Sequence, residues 1–258
     1  MPSTSLHGAV VVIHGAGGAI GGAVAAAFAD RGARLHLAGI RTESLEDTAG
    51  RIRHRGSAPV TVSLVDACDS AAVQAHADEV VAQAGRIDVA LNAAGIPLVQ
   101  GAPLLEMAEE DVLAPIAAWP RTQYITARAA ARHMVTQRAG TILMLSASPA
   151  RLAIPGVGGF SAACAAVEGL TRTFAAELGP TGVRTVCLRP QRIADTLGAT
   201  PDLPMPVDEF RSFLESLTTS GTLPTLDEVA RTAVFLAGGG AQSMNGAVLN
   251  LTCGMSPD

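Results

Sequence analysis

Val10–Asp30 reads VVVIHGAGGAIGGAVAAAFAD. Its first four residues, Val10–Ile13, have the length and β-branched content of a buried strand. A glycine-dense turn follows, His14-Gly15-Ala16-Gly17-Gly18-Ala19-Ile20-Gly21-Gly22, and from Ala23 the chain runs in helix formers. Strand, glycine turn and helix in that order open a nucleotide-binding fold. Residues without Cβ let the backbone approach a pyrophosphate, and the helix N-terminus offers unpaired N–H groups and the positive end of its dipole. A glycine turn serving only tight strand–helix packing would look the same locally, so the surrounding pattern has to decide.

That pattern is alternation. Strand-like segments at Ala9–Ile13, Arg34–Leu37, Val60–Val65, Val89–Leu91, Thr141–Leu145, Arg184–Leu188 and Ala247–Leu251 are separated by helical stretches near 20–30, 43–55, 69–84, 106–137, 160–178 and 227–237. Such alternation implies right-handed βαβ units and a parallel sheet covered on both faces. The expected architecture is one α/β domain over residues 1–258, a doubly wound Rossmann fold with a seven-stranded parallel sheet. The stretch 192–225, with Pro201, Pro204, Pro206 and Pro224 and a short helical pattern at 207–217, breaks the alternation and reads as a substrate-covering lid.

Composition narrows the function. The chain has 258 residues, 48% of them apolar and 16% charged, and no apolar run approaches the ~18 residues of a membrane helix. The start, MPSTSLHGAV, shows no basic segment followed by an apolar one, so a cytoplasmic protein without a leader is expected. A net charge of −5 with scattered basic residues argues against nucleic acid or an anionic membrane as the main partner. Cys68, Cys164, Cys187 and Cys253 form no CxxC or Cys/His cluster, so no metal site is expected and free thiols are. All 18 basic residues are arginine; the chain contains no lysine, and Tyr124 is its one tyrosine.

From roughly His7 to Gly254 the sequence resembles the short-chain dehydrogenase/reductase family. HGAGGAIGG is similar to the family's glycine turn, with His14 at its threonine and Ala19 at its middle glycine. LVDACD resembles the segment whose Asp, here Asp66, sits by the adenine. IDVALNAAGI resembles the Asn-Asn-Ala-Gly element with Ala93 at the second Asn, and the tail from LPTLDEVARTAVFLA to MNGAVLNLTCG resembles the closing helix and strand. The resemblance implies a dinucleotide held by Gly15, Gly18, Ile20, Gly21, Arg41, Asp66, Ala67, Asn92, Ala94 and Gly95. After the second strand, Gly39-Ile40-Arg41 stands where an acidic residue would hold a ribose 2′-hydroxyl, which favours NADP(H) over NAD(H).

In that family a Tyr and, four residues later, a Lys share a helix face, with a Ser thirteen residues upstream and an Asn on the preceding long helix. Hydride transfer to a carbonyl creates an oxyanion that needs a positioned acid of lowered pKa and hydrogen-bond donors. Carried over residue by residue, those four positions hold Phe160, Cys164, Ala147 and Trp119. Ser146 and Ser148 flank Ala147, but a chain without lysine has no Tyr-x-x-x-Lys in any register. The Pro-Gly of the family becomes Pro190-Gln191, and Asp195 lies where a Thr would meet the carboxamide.

Three substitutes stay open: Ser148, Cys164 as a thiol nucleophile, and Tyr124, which pairs with Arg128 at i, i+4. His14 is read as either a turn cap or a phosphate contact. Helix 160–178 carries Ala163, Val167, Leu170, Phe174 and Leu178 as a stripe for the sheet, leaving Ala162, Ala165, Ala166, Gly169 and Ala176 for another subunit. Two functions follow. The favoured one is a redox-silent member, either a non-catalytic subunit in a hetero-oligomer with an active relative or a scaffold for a small hydrophobic ligand or non-redox chemistry; the expected assembly is that hetero-oligomer or a homo-oligomer (dimer or tetramer). The alternative is an NADP-dependent oxidoreductase acting on a carbonyl or alcohol through atypical groups.

Overall fold

The computed structural model describes residues 6–56, 58–199 and 205–256. Seven parallel strands, β1 (Val10–His14), β2 (Arg34–Gly39), β3 (Val60–Leu64), β4 (Val89–Asn92), β5 (Gly140–Leu145), β6 (Val183–Pro190) and β7 (Val248–Leu251), lie in the order β3-β2-β1-β4-β5-β6-β7. Between them run α1 (Ala19–Ala29), α2 (Thr42–His54), α3 (Ser70–Ala84), α4 (Glu109–Gln137), α5 (Phe160–Leu178), α6 (Val207–Ser216) and α7 (Leu226–Ala237).

The inner strands are largely apolar on both sides because both sides are covered, whereas the edge strands β3 and β7 have no buried residue. Val11, Ile13, Leu35, Leu37, Leu91 and Leu188 pack with α1, α2 and α7; Val10, Val12, Ala38, Ala90, Ile142 and Cys187 pack with α3, α4 and α5. Strand order reverses between β1 and β4, whose ends align as Ile13 with Leu91 and His14 with Asn92. A crevice at the carboxyl ends of strands at such a switch point is where ligands bind in open α/β sheets.

Two helices depart from the sequence pattern. α4 begins at Glu109 because Pro103 holds 103–107 in turns, its carbonyl accepting the N–H groups of Glu106 and Met107. It then continues through Pro115 and Pro120, each of which removes an intrahelical bond. Helix α5 keeps its expected stripe in part and buries further residues beside it. Phe160, Ala163, Cys164, Val167, Glu168, Thr171 and Ala175 are buried, whereas Leu170, Phe174 and Leu178 are half-buried at its flank. Glu168 turns inward to a buried ion pair with Arg189 of β6.

Of the segment 192–225, residues 200–204 lie outside the described residues, among them Pro201 and Pro204. The expected short helix is α6, which has no buried residue. It is tied down by the Arg211 guanidinium donating to the Ala194 carbonyl (3.3 Å) and by Arg192 over the Phe210 ring (5.9 Å). No helix among the described residues is long and apolar enough to cross a membrane.

Candidate functional site

At the β1–β4 switch point a cavity of about 370 Å³ opens, floored by Gly15, Gly17 and Gly18 and walled by Ile40, Arg41 and Ser44, by Asp66–Cys68, and by Ala93–Pro97, with Thr122 of α4 behind. Gly15 has φ +75°, and a Cβ on it would collide with the Ala93–Ala94 backbone. A side chain there would both strain the turn and push its opposite wall away. Helix α1 starts at this floor with no side-chain cap and no acidic residue in its first turn, so its free N–H groups suit an anion. Arg41 precedes α2 and is exposed at the rim. The Asp66 carboxylate accepts the Cys68 N–H (2.8 Å), fixing the loop into α3. These residues fit the adenosine and phosphate end of a dinucleotide.

Of the residues assigned from sequence, Gly15, Gly18, Arg41, Asp66, Ala67, Ala94 and Gly95 line the cavity. Ile20, Gly21 and Asn92 support it from behind. Ile20 packs into the α1–α7 core. Gly21 lets α1 sit against the Gly15 carbonyl, where a Cβ would clash. Asn92 Oδ1 accepts the Ala94 N–H (2.9 Å) and its carbonyl accepts Gln123 Nε2 (3.1 Å). Sequence reasoning missed Ser44 and Thr122. Ser44 lies one helical turn past Arg41, against Gly17, and its hydroxyl donates to the Arg41 carbonyl (3.1 Å); its nearness to Arg41 was the available signal. Thr122 had none, because only the path of α4 brings it there. His14 is neither cap nor phosphate contact: it is buried, no ring nitrogen has a hydrogen-bond partner, and it does not line the cavity.

The four chemistry positions do come together, but as packing. The Trp119 and Phe160 rings lie 4.8 Å apart at 49°, and Trp119 Nε1 donates to the Leu145 carbonyl (3.1 Å), pinning α4 to the end of β5. Gly159, just before Phe160, lets α5 press on the Val112 carbonyl and Ile116 of α4, where a Cβ would clash. Cys164 is fully buried, and burial pushes its thiol up to about 12 despite a hydrogen bond with the Ala147 backbone. It is a neutral thiol at pH 7, neither a replacement for a cation nor a nucleophile. None of Trp119, Ala147, Phe160 and Cys164 lines the cavity.

Below them lies a second polar cluster. Glu168 of α5 accepts the Ser146 hydroxyl (3.1 Å) and the Arg189 guanidinium (3.3 and 3.4 Å), with Glu168 4% and Arg189 1% exposed. This pair ties α5 to β5 and β6 beneath the site. Ser148 is buried in a short 3-10 turn at Ser148–Ala150. Gln191 is buried with Nε2 unpartnered. Asp195 does not wait for a carboxamide: its carboxylate accepts the Leu226 N–H (2.8 Å) at the start of α7. Tyr124 and Arg128 lie on the exposed face of α4, Tyr124 against Phe174 (6.0 Å), away from the cavity. None of Ser148, Gln191, Asp195, Tyr124 and Arg128 lines the cavity. No group of three or more His, Cys, Asp or Glu among the described residues is arranged to hold a metal ion.

Residues 15–256 match the family described as enoyl-(acyl carrier protein) reductase. The chain is 32% identical to a D-threitol dehydrogenase of Mycolicibacterium smegmatis, over 95% of this chain and 91% of that one. It is 30% identical to the BbsD subunit of (2S)-[(R)-hydroxy(phenyl)methyl]succinyl-CoA dehydrogenase of Thauera aromatica, over 96% of each. Its fold matches carveol dehydrogenase of Mycobacterium avium in complex with NAD, with a TM-score of 0.88, 25% identity and coverage of 98% and 99%. With its seven-stranded sheet, its glycine turn and these matches, the chain belongs to the short-chain dehydrogenase/reductase family of oxidoreductases.

Proposed function

We propose that this protein is a redox-silent member of its family. It keeps a site for the adenosine and phosphate half of a dinucleotide, NADP(H) in preference to NAD(H), and lacks the groups that move a proton to a carbonyl. The carrying observation is the Trp119–Phe160–Leu145 contact, in which side chains fill and pin the place where a proton donor would stand. A bound nicotinamide would supply hydride. Around it, the Phe160 and Ala147 side chains donate nothing, Cys164 carries no charge at pH 7, and the Trp119 indole N–H goes to Leu145. Arg41 at the rim supports the NADP(H) preference.

The role that fits such a chain is a non-catalytic subunit beside an active copy of related sequence, or a scaffold for a ligand. The exposed stripe of α4 supports assembly: Glu110 at its start, Leu113, Ala114 and Ala117 in its middle, and Arg121, Tyr124, Arg128 and Arg132 toward its end. An antiparallel partner helix sets the acidic end of one against the basic end of the other across small residues. The exposed Ala162, Ala165 and Ala176 of α5 extend that surface.

The test is a titration with NADPH and NADH followed by a carbonyl screen. NADPH binds at best in the high-micromolar range, about −5 to −6 kcal/mol, and the screen is blank. Turnover near 1 s⁻¹, within the ordinary enzyme range of about 1–10³ s⁻¹, overturns the proposal in favour of an NADP-dependent oxidoreductase using atypical groups. The combined change Trp119→Asn, Ala147→Ser, Phe160→Tyr and Cys164→Lys restores activity if the cofactor docks productively.

A further inference from the structure

His14 ends β1, and its backbone holds both neighbours of the glycine turn. Its carbonyl accepts the Ala93 N–H (2.9 Å), and the next residue, Gly15, donates to the Ala38 carbonyl (2.8 Å). Its side chain meets His76 of α3 edge-on, ring centroids 5.6 Å apart. Both imidazoles are buried, and no nitrogen of either ring has a hydrogen-bond partner. His36 of β2, with its Nδ1 2.8 Å from Thr61 Oγ1, is a third imidazole here and opposes charge on His76. The other charges facing the group are Glu79 of α3, which favours a proton on His36 and His76, and Arg34 of β2, which disfavours one on His36.

We infer that the His14–His76 contact is an acid-sensitive latch on the cavity: protonation drives α3, with the Asp66–Cys68 wall leading into it, away from the glycine turn while β5 and β6 stay paired. The closed state excludes the proton. Burial first, and the neighbouring imidazoles second, lower His14 to about 3 and His76 to about 4. Once α3 has left, both rings meet water and take protons at their ordinary affinity, so acid favours the open state. Opening stays local because α3 is lightly held. It buries Val73, His76, Ala77 and Val80, and its polar ties to α4, Arg132 to Gln74 (2.9 Å) and His133 to Asp78 (2.8 Å), are exposed. By contrast, β5 and β6 pair over six residues inside the sheet. The latch rests on the dinucleotide reading of this cavity for its role, but its test uses no dinucleotide, so a blank NADPH titration leaves it standing.

The experiment is hydrogen–deuterium exchange on the full chain at pH 7.5 and 4.5, corrected for intrinsic exchange rates. Opening of 70–84 rises about 100-fold for each histidine that ionises on opening, while β5 and β6 keep their protection. The double variant His14→Phe, His76→Phe loses this response. Equal exchange of α3 at the two pH values, a rise shared equally by β5 and β6, or an unchanged response in the double variant overturns the inference. Should that variant fail to fold, His76→Leu alone decides: its acid response falls by one histidine's share, and an undiminished response refutes the latch.

Discussion

The turn before α1 and the start of α5 both stand at carboxyl ends of the sheet, yet one is open and the other is filled. At the turn the cavity floor is backbone, glycines beside the free N–H groups of α1, and Arg41, Ser44 and Asp66 stand in its wall. At the start of α5 the contacts are between side chains, and Trp119, Phe160, Ala147 and Cys164 there are aromatic, methyl and thiol. A backbone site is specified by glycines that the fold itself needs, so losing it disturbs folding. A side-chain site can be exchanged for apolar packing with little structural consequence.

The contrast breaks most visibly at the ion pair beneath the filled site. Arg189→Met leaves Glu168 buried with its charge, so unfolding in urea shows a loss of about 3–5 kcal/mol; a loss under about 1 kcal/mol means that water reaches the pair. Next is the open site. Gly15→Ala forces a Cβ onto the Ala93–Ala94 backbone at φ +75°, costing about 3 kcal/mol, whereas Ala147→Ser at the filled site changes stability little. A near-neutral Gly15→Ala removes the distinction between the two regions.

Acid sharpens it further. A histidine whose folded pKa lies below the unfolded 6.5 contributes no loss above that value, and stability falls as pH drops from 6.5 toward the folded value, about 4 for His76. At pH 5 that is about 2 kcal/mol for this residue, and His76→Phe removes that part of the pH dependence measured by thermal melting. The smallest effect is at the rim: Arg41→Ala weakens NADPH about tenfold, or 1.4 kcal/mol, and leaves NADH unchanged by calorimetry. Equal loss for both cofactors sinks the NADP(H) preference.

Much of this was legible from spacing. The apolar runs gave the strands to within a residue or two, because strands buried on both faces must be continuously apolar. Helix α5 was legible in extent, and Ala163 and Val167 of its stripe are buried. The other three, Leu170, Phe174 and Leu178, lie half-buried at the flank, while Glu168 turns inward to Arg189. The supporting roles of Ile20, Gly21 and Asn92 were likewise hidden, since a motif names the residues near a ligand without separating those that touch it from those that shape the turn.

By itself the sequence determined the Rossmann architecture, the glycine turn and the absence of any lysine, because periodicity, glycine placement and composition are properties of the chain read locally. What surrounds Trp119, Glu168 and His14 was decided in three dimensions. Trp119 meets Phe160 across 41 residues of chain, Arg189 meets Glu168 across 21, and His14 meets His76 across 62. Each contact arises because parallel crossovers bring strand ends and helix faces together at distances no local pattern encodes. Burial there then holds the His14 and His76 imidazoles well below their ordinary pKa.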